Sequence, residues 1–173
     1  GKEVYKNHPN LREASRNRFI AWLIKHNDAM RYIEQGKGNK KKLGNITLKN
    51  EKVRSLYEVM AANWLAKHEI SYFYEGKMLV FPDFKELKIS FAVPDFFLPE
   101  YNCIIEIYGQ FRDARGRTIK KNRAYRYYGI PFLPIRPSEM NSLDTIIPNF
   151  LNKIGRNPKL TKQARSIMWG MLD

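Results

Sequence analysis

Two carboxylates stand where a buried sheet would carry apolar side chains: Asp95 in AVPDFFL and Glu106 in NCIIEIYG. Asp95 follows Ala92, Val93 and Pro94, and Glu106 follows Cys103, Ile104 and Ile105. If the two segments pair through a turn at residues 99–102, alternation places both side chains toward one end of one face. A carboxylate there needs a cation, because an unpaired buried charge costs on the order of several kcal/mol or is lost to a pKa shift. A divalent metal is the natural compensation. Mg²⁺ takes oxygen ligands and keeps several waters, so one or two carboxylates suffice before a substrate phosphate completes its shell. Such an ion would polarise a phosphodiester and lower the pKa of the attacking water. Phosphodiester hydrolysis is the chemistry this pair suits.

The surrounding elements follow from periodicity and turn residues. From Glu51, EKVRSLYEVMAANWLAKHE places Val53, Leu56, Val59, Met60, Trp64 and Leu65 on one helical stripe, with Glu58 at its edge. ISYFYEGKMLVF reads as strand, turn, strand around Glu75, Gly76 and Lys77. KISFAVPDFFL and NCIIEIYGQ read as further strands, and the short connection between the last two favours an antiparallel hairpin. TIKKNRAYRYYG is a helix closed by Gly129, with Pro131 beyond it. IPFLPIRP is a short strand whose Pro131 and Pro134 argue for a sheet edge. Helices are expected near 141–154 and 160–171. The order predicts an α/β fold with a mixed sheet flanked by helices. Its core would span residues 51–140, with C-terminal helices over 141–173 packing on it.

Lys and Arg number 31 against 17 Asp and Glu, a formal +14, which points to a polyanionic partner. Residues 1–50 hold twelve of the cations and four of the acids, so a basic N-terminal extension is expected there. Within it, Phe19, Trp22, Leu23, Met30 and Ile33 suit an amphipathic helix; GKGNKKKLGN then supplies Lys40, Lys41 and Lys42 as a solvated linker or a phosphate-tracking arm. No run has the length of a membrane span and no secretory signal or lipidation pattern is evident, so an intracellular, cytoplasmic or nucleoid-associated protein without a membrane partner is expected. The chain opens on Gly1 rather than methionine, which suggests an excerpt or a processed chain. A single cysteine, Cys103, excludes a disulfide framework and reads as a small buried hydrophobe. His8, His26 and His68 lack zinc-ligand spacing, and no nucleotide-binding fingerprint is present.

Ser55 and Glu58 on a helix, then VPDFFLP, then IIEIYG, in that order, resemble the PD-(D/E)xK, or restriction-endonuclease-like, nucleases over roughly residues 52–137. The resemblance implies Mg²⁺, with Mn²⁺ able to substitute, held by Asp95 and Glu106 with Glu58 as an added ligand. The family's lysine, two residues after the second acid, is replaced here by Tyr108. In some branches that lysine comes from the next helix. Lys121 is the candidate for that displaced role and Lys120 the second choice, since adjacent helix positions point about 100° apart.

Beside the acids, Arg112, Arg115, Arg117, Lys120 and Arg123 form a basic stretch expected to grip DNA phosphates. Gly116 would let DARGR act as a groove-entering loop whose arginines could read guanine edges or contact the backbone only. Tyr125, Tyr127 and Tyr128 could stack on bases or belong to the core. The resulting expectation is a Mg²⁺-dependent DNA endonuclease leaving 5′-phosphate ends, as the resemblance implies. Its substrate would be double-stranded DNA, cut site-specifically by a homodimer or higher symmetric oligomer, in the manner of homing, phage or restriction enzymes. The alternatives are a structure-specific nuclease such as a junction resolvase, a catalytically inactive nucleic-acid-binding module, and a ribosome-like RNA-binding protein.

Overall fold

The computed structural model describes residues 45–76, 78–81, 84–87, 89, 91–109, 112–156 and 158–168, with Ala14 and Arg18; for 46, 84, 85, 112–115, 117, 166 and 168 it describes the backbone alone. Ala14 and Arg18 are helical, while the rest of the expected N-terminal helix and Lys40, Lys41 and Lys42 lie outside the described residues.

The fold is mixed α/β. Strand β1 (Asn45–Ile46) pairs antiparallel with β2 (Lys52–Val53). The pairing ties residues 45–46 to the strand that precedes the first helix of the expected core. Helix α1 (Leu56–Lys67) follows, then β3 (Phe73–Tyr74), β4 (Leu79–Val80), the single turn α2 (Phe84–Leu87), β5 (Phe91–Ala92), β6 (Phe96–Leu98) and β7 (Cys103–Ile107). The long helix α3 (Arg112–Tyr128), β8 (Phe132–Ile135), α4 (Leu143–Ile154) and α5 (Lys162–Met168) complete the chain. The central sheet has the order β3-β6-β7-β8, antiparallel except for the β7–β8 pair. That parallel pair is joined by α3, as a same-direction return requires a crossover.

Local chemistry accounts for the elements. Pro99 opens a 3-10 turn closed by Asn102 in the left-handed region, and it makes the expected β6–β7 hairpin. Gly129, at φ +70°, ends α3, and a Cβ there would stand 3.3 Å from Thr161 Cγ2. β8 is an edge strand, so Pro134 leaves no interior ladder unpaired.

Alternation divides the core. Phe96, Leu98, Cys103, Ile105 and Ile135 pack with Ala61, Trp64 and Leu65 of α1 and with Leu143, Ile147 and Leu151 of α4. Phe97 and Ile104 instead pack with Tyr125 and Tyr128 of α3 and with Leu79 and Phe81. Trp64 Nε1 donates to Asp144 Oδ1 at 2.6 Å, tying α1 to α4. Burial pushes the Cys103 thiol up to about 12, so it serves as a core side chain.

Three expectations are corrected. The α1 stripe is rotated: Leu56 and Met60 are exposed, and Glu58, Ala61, Ala62 and Leu65 are buried, because Val53 lies in β2 and sets no helical phase. The two strands expected around Glu75 are present and join different sheets: β3 joins the central sheet and β4 pairs with β5. The single strand expected from KISFAVPDFFL is broken at Pro94 and Asp95 into β5 and β6, since proline cannot donate to a ladder. DARGR is no loop: α3 begins at Arg112 and carries Gly116 within it.

Candidate active site

Asp95 and Glu106 come together as alternation requires. Phe96 is registered with Ile105, so Asp95, one residue earlier, lies beside Glu106, one residue later. Both carboxylates are on the sheet face that carries Phe97 and Ile104, toward α3. Asp95 Oδ2 accepts from the backbone N–H of Ile107 at 2.7 Å, which fixes its carboxylate against β7. Glu106 is buried, and both its oxygens are engaged by α3: Lys121 Nζ donates to Oε2 at 2.6 Å and the Tyr125 hydroxyl to Oε1 at 2.6 Å. These donors lie one turn apart, so a single helix face delivers them. Lys120 is exposed, as its position about 100° around the helix dictates.

Glu58 approaches from the other side of the sheet. It closes a capping box with Ser55, accepting at Oε2 from Arg54 N (2.7 Å), Ser55 N (2.8 Å) and the Tyr74 hydroxyl (3.1 Å). Burial raises its pKa and Asp95 raises it further, so the two acids sense each other.

Glu75 is a member that sequence reasoning missed. It occupies the left-handed region at φ 42°, its N–H donates to Asp95 O at 3.0 Å, and its side chain is only 6% exposed. A non-glycine residue in that conformation is uncommon and gathers at constrained sites. Arg54 Nη2 holds its Oε2 at 2.8 Å. The signal was a glutamate in a turn, which is ordinary; only the β3–β6 pairing brings it to Asp95.

The electrostatics match the geometry. Burial pushes Glu75 up to about 7, with Asp95 and Glu58 adding and Arg54 and Lys121 opposing. Burial likewise pushes Glu106 up, Asp95 adds, and Lys121 and Tyr125 oppose. Lys121 loses some basicity to burial yet is raised overall by Glu106, Asp95 and Glu75. Four carboxylates thus share two contacting cations, Lys121 and Arg54, among the described residues.

The donor set suits a hard divalent cation: it is oxygen-only and in acidic excess, and Asp95 and Glu106 are adjacent. Among the described residues no three His, Cys, Asp or Glu converge closely enough to enclose an ion by themselves. Two carboxylates would then serve as protein ligands, with water or phosphate filling the shell.

The remaining candidates are placed unevenly. Tyr108, at the family's lysine position, contacts Asn122 Nδ2 through its hydroxyl, beside Lys121 on α3, and Asn122 Oδ1 is buried without a partner. Arg112, Arg115 and Arg117 lie on the first turns of α3, their side chains outside the described residues, and Arg123 is exposed. Base stacking by Tyr125 and Tyr128 is excluded, because both are buried in the core. Tyr127 is half exposed. Among the described residues no helix is long and apolar enough to cross a membrane. Comparison with protein-family models, curated proteins and solved structures finds no match.

Proposed function

We propose that this chain is a Mg²⁺-dependent DNA endonuclease with a restriction-endonuclease-like core. The observation that carries the reading is the adjacent pair Asp95 and Glu106 with Lys121 Nζ 2.6 Å from Glu106, the lysine arriving from the helix after the acid-bearing strand. A protein of formal charge +14 that concentrates buried acids in one place has a polyanion to attract and a cation to hold. Bound there, Mg²⁺ would supply Lewis-acid polarisation of the phosphate and a more acidic water.

The chain's own residues would do the rest. Asp95 and Glu106 present oxygen ligands, Asp95 from a carboxylate already oriented by the Ile107 N–H. Lys121, its pKa raised overall by its acidic neighbours and its side chain closed onto Glu106, orients the attacking water. Tyr125 fixes the rotamer of Glu106. Glu58, whose Oε2 is committed to the helix cap, would act on the cation through a water held at Oε1. Lys120, Arg123 and the arginines of the first α3 turns would hold the DNA backbone, and a symmetric dimer would bring two such sites to opposite strands.

The test is incubation of a large DNA pool with Mg²⁺, beside Asp95→Ala and Glu106→Ala proteins and a chelator control. Discrete cuts that vanish in both variants and with chelator are expected. Binding without Mg²⁺- or Mn²⁺-dependent cutting would sink the reading. It would favour the second one, a non-catalytic nucleic-acid-binding module, which draws support from the double engagement of Glu106 by Lys121 and Tyr125.

A further inference from the structure

An acid cluster that must act on DNA has an electrostatic difficulty, because it repels the backbone it needs to approach. Lys121 cannot bridge the gap outward, as its side chain is only 13% exposed and closed onto Glu106. Arg54 is differently placed. Its backbone N–H is anchored to Glu58 Oε2 and to the Tyr74 hydroxyl, at 2.7 and 3.2 Å, just ahead of the N-cap of α1. Its side chain is 51% exposed, and one terminal nitrogen reaches the buried Glu75. Among the described residues it is the exposed cation that touches the cluster. A guanidinium has five N–H donors in a planar fork that matches phosphate oxygens, so one contact to Glu75 leaves further donors for a phosphate.

We infer that Arg54 is a phosphate-gripping residue for the DNA backbone at the mouth of the acid cluster, stored on Glu75 until DNA arrives. The inference rests on the nuclease reading for its substrate but not for its chemistry. Glu75 is the holding group: its left-handed backbone and its bond to Asp95 O fix it beside that strand acid, and Arg54 pairs with its carboxylate in the free protein. Transfer of the guanidinium, wholly or through its free donors, to a phosphate places the backbone next to Asp95 and Glu106. It also leaves Glu75 exposed to any cation bound there.

The experiment is fluorescence anisotropy with a labelled DNA duplex and the full chain, using Ca²⁺ in place of Mg²⁺ to hold off cleavage, repeated over a series of salt concentrations. Each phosphate contact contributes about 0.9 to the slope of log K against log salt. Arg54→Gln is expected to weaken binding several-fold and to lower the slope by about 0.9. Arg54→Lys should keep the slope while losing part of the affinity, and Glu75→Gln should tighten binding by releasing Arg54 and removing a repulsive charge. Melting temperatures keep folding separate from binding, and Arg54→Gln is a surface change expected to fold. An unchanged slope in Arg54→Gln, or weaker binding by folded Glu75→Gln, overturns the inference. If the slope falls as expected but Mg²⁺ produces no cutting by the wild type, the inference stands and the endonuclease reading alone fails. Cutting with an unchanged slope has the opposite meaning.

Discussion

The β6–β7 hairpin has two ends built on the same pair of strands. At the turn end Leu98 is registered with Cys103 and both are fully buried among apolar side chains. At the open end Asp95 lies beside Glu106, and the buried Glu106 is met by a lysine and a tyrosine from α3. One end is held by the exclusion of water, which needs only shape and apolar area. The other end holds charge out of water, which is tolerable only while every oxygen keeps a donor. Strand pairing sets the position of both ends. The crossover helix decides which end receives a cation.

The largest effect should come from removing the cation at the open end. Lys121→Ala is expected to lower cleavage by about 10²–10³-fold, the range for removing one positioned electrostatic donor, with DNA affinity changed only modestly. Lys120→Ala, one position away and facing solvent, should instead weaken binding. Single-turnover cleavage measured beside anisotropy separates the two; the reverse pattern would move the catalytic role to Lys120. At the turn end, Leu98→Ala should cost about 2–5 kcal/mol of stability through cavity formation, while the Mg²⁺ concentration needed for half-maximal cleavage stays unchanged. Chemical denaturation and a metal titration would show it, and a shifted metal requirement would mean that the two ends are coupled.

Next in size is the pH response of the metal-free protein. Glu75 is raised to about 7 by burial, so the folded state keeps a proton that the unfolded chain loses near the ordinary carboxylate value. Its contribution is therefore fully present at pH values below that ordinary value and is lost as pH rises through about 7. From pH 5 to pH 8 the wild type should lose about 1–3 kcal/mol relative to Glu75→Gln, which has no such proton to release. Parallel pH curves for the two proteins would show that Glu75 is not a buried acid in solution. Mg²⁺ should recover part of the loss at pH 8 in the wild type.

How much of this was legible in the sequence follows the same division. The hairpin, the helix stop at Gly129, the edge position of Pro134 and the reach of Lys121 rather than Lys120 were readable, because each depends on spacing within about twenty residues. Glu75 was not, since its membership depends on which strand β3 pairs with. The helical stripe was misphased because Val53 was counted in the helix, and that concealed the burial of Glu58. Gly116 read as a loop because glycine costs a helix about 1 kcal/mol, an expense that sixteen other helical positions in α3 outweigh. Tyr125 read as stacking or core and is core, yet the use of its hydroxyl by Glu106 was hidden, a contact that only the folded β7–α3 packing creates.

The smallest effect sharpens the comparison at a single atom. Glu58 caps α1 through Oε2, with three donors converging on that oxygen, so it can serve a cation only through Oε1. Glutamine keeps a carbonyl oxygen able to accept the capping bonds but lacks the charge. Glu58→Gln is therefore expected to leave the melting temperature nearly unchanged and to slow cleavage by about tenfold, equivalent to about 1.4 kcal/mol. Ser55→Ala, which removes the partner in the cap, should do the reverse: about 1 kcal/mol of stability lost, with cleavage close to wild type at temperatures where the protein is folded. If both substitutions reduce stability and neither slows cleavage, Glu58 belongs to the helix and not to the site. The acids doing the chemistry would then be confined to the sheet face that carries Asp95 and Glu106.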